Sequence, residues 1–182
     1  MQSVRRVLSV GHQNPNVWIG IRSLSTSDSA SLKKNVASLL DSLSLKPGAT
    51  LVQNCGDSEV GKTVIELAKE RKLQTISIIE DKPGNPETIE ALKALGGDIV
   101  VPESYTKTWY MKRLTRELSP SAGLNFSDGY QATAVCKALV NGGTFLTYGK
   151  TLPKYVAYEG AARKPVEWNA FIKEKNLKAM NL

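Results

Sequence analysis

From Leu32 onward the chain alternates short apolar runs with helix-length amphipathic segments. That alternation constrains the fold more than any other feature, because strands separated by helices of this length make β-α-β units around a parallel sheet. Residues 33–43 read as a lead-in helix that stops before the Lys46-Pro47-Gly48 turn. Strands are expected at 50–54, 75–79, 98–101, 123–126 and 144–148, with helices at 60–71, 86–95, 108–118 and 129–139 between them. Pro86 opens one of these helices and Gly96-Gly97 closes it, the usual asymmetry of helix ends. A short helix at 166–172 and a strand at 177–182 complete the pattern. The expected fold is α/β, a doubly wound parallel sheet spanning 32–182, preceded by an N-terminal extension over 1–31.

The extension has a different composition. It contains Arg5, Arg6 and Arg22, many serines, and no Asp or Glu before Asp28, which is the make-up of a mitochondrial transit peptide or of a partner-binding tail. The formal charge of the chain is +7, and those three arginines account for part of it, leaving about +4. A positive balance suits an acidic partner such as RNA. However, no basic run interleaved with aromatics forms a nucleic-acid platform, so direct RNA contact is not indicated. No apolar run approaches the roughly 20 residues that span a bilayer. The two cysteines, Cys55 and Cys136, make neither a disulfide framework nor a CxxC pair, as expected of a reducing compartment. His12, in the extension, is the only histidine, so a histidine-dependent triad or an HExxH metal site cannot be built from residues 32–182.

The chemistry concentrates in Asn54-Cys55-Gly56-Asp57-Ser58-Glu59-Val60-Gly61-Lys62-Thr63, a glycine-rich turn from the first strand into the next helix. Backbone amides and the helix dipole can receive phosphate there. Read literally, Gly56 to Thr63 satisfies GxxxxGK[ST], the phosphate loop of nucleoside triphosphatases. In that reading Lys62 would reach the terminal phosphates, Thr63 would hold magnesium, and Asp81 would be a second metal ligand. No NKxD guanine signature accompanies it. Read as a dinucleotide turn, the same loop would be followed by Glu80 at the end of the second strand, about where an acid bonds a ribose 2′-hydroxyl, which favours NAD over NADP.

A wider set of motifs bears on the choice: Lys46-Pro47-Gly48, Val52-Gln53-Asn54, Val60-Gly61, Val64-Ile65-Glu66-Leu67-Ala68, Ile79-Glu80-Asp81-Lys82-Pro83, and Gly142-Gly143-Thr144-Phe145-Leu146-Thr147-Tyr148-Gly149. Together they resemble the cofactor-binding domain of mitochondrial NADPH-dependent 2-enoyl thioester reductases, in the medium-chain dehydrogenase/reductase superfamily. The resemblance implies a Rossmann-like sheet and a cofactor contacted by Asn54, Ser58, Val60, Gly61, Glu80, Lys82, Tyr148 and Gly149. It also implies a separate catalytic domain carrying a tyrosine proton donor, and residues 32–182 hold no counterpart of it.

Two residues depart from the family pattern. Glu59 stands where the family has a glycine that lets backbone approach the pyrophosphate, and brings bulk and like charge to a diphosphate. Glu80 stands where the family's arginine receives the adenosine 2′-phosphate. The expectation is a domain that keeps the fold without its cofactor or, if the site is retained, binds NADP or NAD. No catalytic residue and no metal ligand is assigned. The sequence-level reading is a non-catalytic accessory subunit associating with other proteins of a mitochondrial assembly, a respiratory-chain complex or the mitochondrial ribosome. An active NAD(P)H-dependent enoyl thioester or quinone-reductase-like enzyme is the alternative, and a triphosphatase the lesser one. Trp109, Tyr110, Tyr155, Tyr158 and Trp168 are core residues or docking anchors, and the basic stretch 149–164 is a candidate partner-binding loop.

Overall fold

The computed structural model describes residues 26–127, 129–148, 155–159 and 164–181. Its centre is a sheet of six parallel strands: β1 (Thr50–Gln53), β2 (Gln74–Ile79), β3 (Ile99–Pro102), β4 (Ala122–Asn125), β5 (Thr144–Thr147) and β8 (Lys178–Asn181). Their spatial order is β3-β2-β1-β4-β5-β8. The chain therefore winds outward from β1 to one edge, crosses back to β4, and winds outward to the other edge, as the alternation predicts. β1 and β4 are paired in register, Leu51 with Ala122 and Val52 with Gly123. A crevice opens at their carboxyl ends because the chain leaves them toward opposite faces.

Side chains along the strands alternate between two cores. Leu51, Leu124 and Leu146 point to one face, where α1 (Thr26–Ser42) and α2 (Glu59–Glu70) contribute Val36, Leu39, Leu40, Val64 and Leu67. Ile65, Ile79, Val100 and Leu92 of α3 (Asn85–Leu95) extend that layer. Val52, Ile76, Ile78 and Phe145 point to the other face, against Met111 of α4 (Trp109–Leu118) and Ala134, Val135, Cys136 and Leu139 at the end of α5 (Gly129–Ala138). Helix ends follow local chemistry. Ser58 and Thr108 cap α2 and α4 with their hydroxyls, and Gly96 closes α3 at φ 115°, in the left-handed region.

Two segments differ from the sequence expectation. The lead-in helix begins at Thr26 rather than at residue 33. Its serine-rich start has weak helix propensity, which hides it from a propensity reading, but Leu32 packs on the same layer as Val36 and Leu39. Within the stretch read as a loop, β6 (Tyr155–Glu159) pairs antiparallel with β7 (Lys164–Glu167), because a run rich in aromatic and branched residues favours a strand. The last helix, α6 (Trp168–Glu174), accordingly starts two residues later than expected. The remainder of 149–164, the extension up to residue 25, and Gly149 lie outside the described residues. No helix among the described residues is long and apolar enough to cross a membrane.

Candidate functional site

The turn between β1 and α2 is built by buried amides of its own side chains. Gln53, fully buried, donates from Nε2 to the carbonyl of Gly61 and to Ser77 Oγ, both at 3.0 Å, tying the helix start to β2. Asn54, also fully buried, donates to Asn125 Oδ1 at 2.6 Å and Ser127 Oγ at 2.9 Å, and its Oδ1 accepts the Phe126 amide at 2.7 Å. It locks the carboxyl ends of β1 and β4 together and has no donor left for a ligand. Ser58 donates to the Cys55 carbonyl at 2.7 Å and accepts the Gly61 amide at 3.1 Å. The Lys62 amide donates to the Ser58 carbonyl at 2.9 Å. The amides of Glu59 and Val60 meet no acceptor among the described residues, so two donors of the first helical turn face outward.

This geometry does not support the triphosphatase reading. A phosphate loop needs its run of amides up to and including that of the lysine free to wrap phosphate, yet α2 already starts at Glu59 and consumes those of Gly61 and Lys62, leaving only two in the first helical turn. The Lys62 ammonium pairs with Glu59 at 3.1 Å and Thr63 donates to the Glu59 carbonyl. Asp81 accepts both the amide and hydroxyl of Ser104, capping the short 3-10 turn Glu103–Lys107.

The crevice beside the turn is a cleft of about 550 Å3. Ser58, Glu80 and Lys82, three residues expected from the sequence, line it together with Cys55, Asp57 and Glu103, which sequence reasoning missed. Ser127, Tyr130 and Gln131 close its far side. Lys82 is ion-paired with Asp57, and the hydrogen bond and charge of that partner push the ammonium pKa above its usual value. Burial, then the charge of Asp81, pushes the Glu103 carboxyl up, while Lys107 and a bond from Gln131 oppose the rise. Burial raises the Cys55 thiol as well, with Asp57 and Glu80 adding to the effect. The lining thus holds three carboxylates and one ammonium, of which Asp57 and Lys82 neutralise each other.

Other expected residues lie elsewhere. Val60 packs with Leu32, Val36 and Phe126 on the α1 face, and Tyr148, 45% exposed, meets the Phe126 ring edge-on at 6.2 Å beside that packing rather than in the cleft. Glu59 is not in the cleft wall; its side chain is 64% exposed and turned along the helix to Lys62. Asp57 could have been flagged from its place inside the glycine turn. Glu103 could not, because only the pairing of β3 with β2 brings it there.

No family model matches the chain. Among curated proteins, it is 39% identical over 129 residues to the mitochondrial enoyl-[acyl-carrier-protein] reductase of Dictyostelium discoideum, covering 70% of this chain and 34% of that protein. The corresponding reductases of Arabidopsis thaliana and Homo sapiens are 40% and 33% identical over the same length, again 70% of this chain and 32% of each relative. The chain therefore spans about a third of the length of the curated relatives it matches. Among solved structures, the Etr1p complex with NADP and crotonyl-CoA superposes with a TM-score of 0.67 at 26% identity, over 88% of this chain and 44% of that one. A putative NADPH:quinone reductase from Bacillus thuringiensis shares the fold at a TM-score of 0.64 and 18% identity, over 83% and 42% of the two chains.

Proposed function

We propose, for a chain similar over its matched stretch to the mitochondrial enoyl-[acyl-carrier-protein] reductases of the medium-chain superfamily, a mitochondrial reductase-like domain that does not catalyse hydride transfer. It serves as an accessory subunit, associating with other proteins of a respiratory-chain complex or the mitochondrial ribosome. The carrying observation is the charge of the cleft. Asp57, Glu80 and Glu103 face a space in which Lys82 is spent on Asp57, and Glu59 adds a carboxylate at the helix terminus. A dinucleotide brings two phosphate charges, three groups' worth for one with a 2′-phosphate, into a site that offers no uncommitted cation among the described residues. The residues present do not fit NADP. Trp109 and Tyr110, 60% and 67% exposed at the start of α4, supply the aromatic surface a subunit contact uses.

A second reading has its own observation. The free amides of Glu59 and Val60, with Glu59 drawn aside to Lys62 and Glu80 at the cleft rim, suit a 2′-hydroxyl dinucleotide, and so NAD. Calorimetric titration with NADH and NADPH separates the two. The accessory role expects no saturable binding of either, whereas NADH binding near micromolar with NADPH much weaker establishes the second. Purification of the native protein from mitochondria followed by mass measurement tests the subunit role, which a free monomer or simple dimer would refute.

A further inference from the structure

On the other face of the sheet a cavity of about 280 Å3 opens between α4 and α5, above β2. Its floor is apolar and buried: Ile78, Met111, Ala134 and Ala138. Its exposed rim carries Lys107, Lys112 and Lys137, and no carboxylate lines it. None of the three ammoniums is in an ion pair among the described residues, although Arg113 on the same helix α4 is taken up by Glu117 at 2.7 Å. Lys107 lies over the Tyr130 ring, 4.2 Å from its centre, and near enough to Glu103 to favour that carboxylate. Lys137 is not needed to cap α5. The Lys175 ammonium does that, donating to the carbonyls of Cys136, Lys137 and Leu139 at 3.0, 2.9 and 2.6 Å. The rim is therefore a triangle of like charges above an apolar floor, separated by Tyr130 from a cleft of opposite sign.

Three ammoniums around one opening, none in an ion pair among the described residues and only Lys107 with a carboxylate, Glu103, near it, favour a multivalent anion. The volume falls just under the roughly 300 Å3 at which ordinary ligand pockets begin, so the occupant is small. We propose that this cavity is a second binding site, for a phosphate monoester of a short alkyl group, with the dianion among Lys107, Lys112 and Lys137 and the alkyl group on the Ile78-Met111-Ala134-Ala138 floor. The proposal is independent of whether the neighbouring cleft takes a dinucleotide.

The test is titration of the full chain, isotopically labelled for amide spectra, with n-butyl phosphate, inorganic phosphate and 1-butanol. Butyl phosphate is expected to bind saturably and about tenfold or more tightly than inorganic phosphate, since the alkyl group reaches apolar surface. It is expected to shift amides of residues 106–115 and 130–138, and 1-butanol alone is expected not to bind. Lys112→Gln with Lys137→Gln, both exposed and so harmless to folding, should weaken it about tenfold or more without changing the melting temperature. Lack of saturation up to about 10 mM, equal affinity for inorganic phosphate, an unaffected double variant, or shifts confined to the 54–61 turn would each overturn the proposal.

Discussion

Replacing Glu59 with glycine restores the residue that the dinucleotide turn of the resembling reductases carries, and the structure sets the size of both effects. Glu59 is the first residue of α2, its side chain is 64% exposed, and it pairs with Lys62 at 3.1 Å. Losing that exposed pair costs about 0.2–0.5 kcal/mol. Losing an acid from the positive end of the helix costs about 0.3–1 kcal/mol, and glycine's backbone freedom adds somewhat under about 1 kcal/mol this close to the terminus. The variant should be destabilised by about 1–2 kcal/mol in urea denaturation and still fold. The gain in binding is electrostatic. A carboxylate this exposed interacts at the bulk-water end of the range, about 1 kcal/mol per charge at about 4 Å, hence about 2 kcal/mol for a diphosphate, or roughly 30-fold in affinity. Saturable NADH binding by Glu59→Gly, where the accessory reading expects none by the parent chain, should show that gain, and it should shrink in high salt. An affinity that is unchanged or lower in Glu59→Gly would refute the idea that this carboxylate guards the turn.

Three further outcomes follow from named groups. Asn54→Ala strips the Phe126 amide and the Asn125 and Ser127 side chains of a buried partner, so unfolding in urea should be easier by about 2–4 kcal/mol, far more than any cap accounts for. Because burial and Asp81 raise the Glu103 pKa, the stability linked to its protonated form is full below the ordinary carboxyl pKa of about 4.3 and is lost as pH rises through the higher folded value. Glu103→Gln should therefore be the more stable protein at pH 7 by thermal melting, with the advantage gone below about pH 4. Both thiols are pushed up by burial, Cys136 much further than the half-buried Cys55. Iodoacetamide at pH 8 should label Cys55 slowly and leave Cys136 untouched until the chain unfolds, and Asp57→Asn should quicken the labelling of Cys55, because the charge it removes is one that disfavours the thiolate.

The fold was legible because its information is local and repeated. Each core strand is a short apolar run such as Thr75–Ile79, each helix carries its own punctuation at Ser58, Pro86 or Gly96, and the doubly wound order follows from strands linked by helices. The serine-rich start of α1 escaped because it is decided by packing on a layer distant in sequence, and the β6-β7 hairpin because its two short strands are fixed by pairing with each other rather than by a periodic pattern. The same division runs through the cleft. Ser58, Glu80 and Lys82 are visible from their positions beside the first two strands, whereas Glu103, Ser127 and Gln131 arrive from later connections. The ion pair of Lys82 with Asp57 changes the meaning of a residue that the sequence alone would count as a free cation.

The glycines of the turn illustrate why a motif and a site are different things. A β-carbon on Gly61 would stand 2.3 Å from the Cys55 carbonyl oxygen, and one on Gly56 would stand 2.9 Å from the β-carbon of Ser77. Both positions thus require glycine for the close approach of backbone and neighbouring strand, whether or not phosphate ever arrives. The same holds for the side-chain NH2 groups of Gln53 and Asn54, whose donors are spent on protein. Contacts within the protein thus account for both glycines and for these donors, so their presence carries no weight for a nucleotide. The weight falls on positions that packing leaves free: Glu59, an exposed acid at the helix start beside the two amides that would receive a diphosphate, and Glu80, an acid at the end of the second strand where a 2′-phosphate would need a cation.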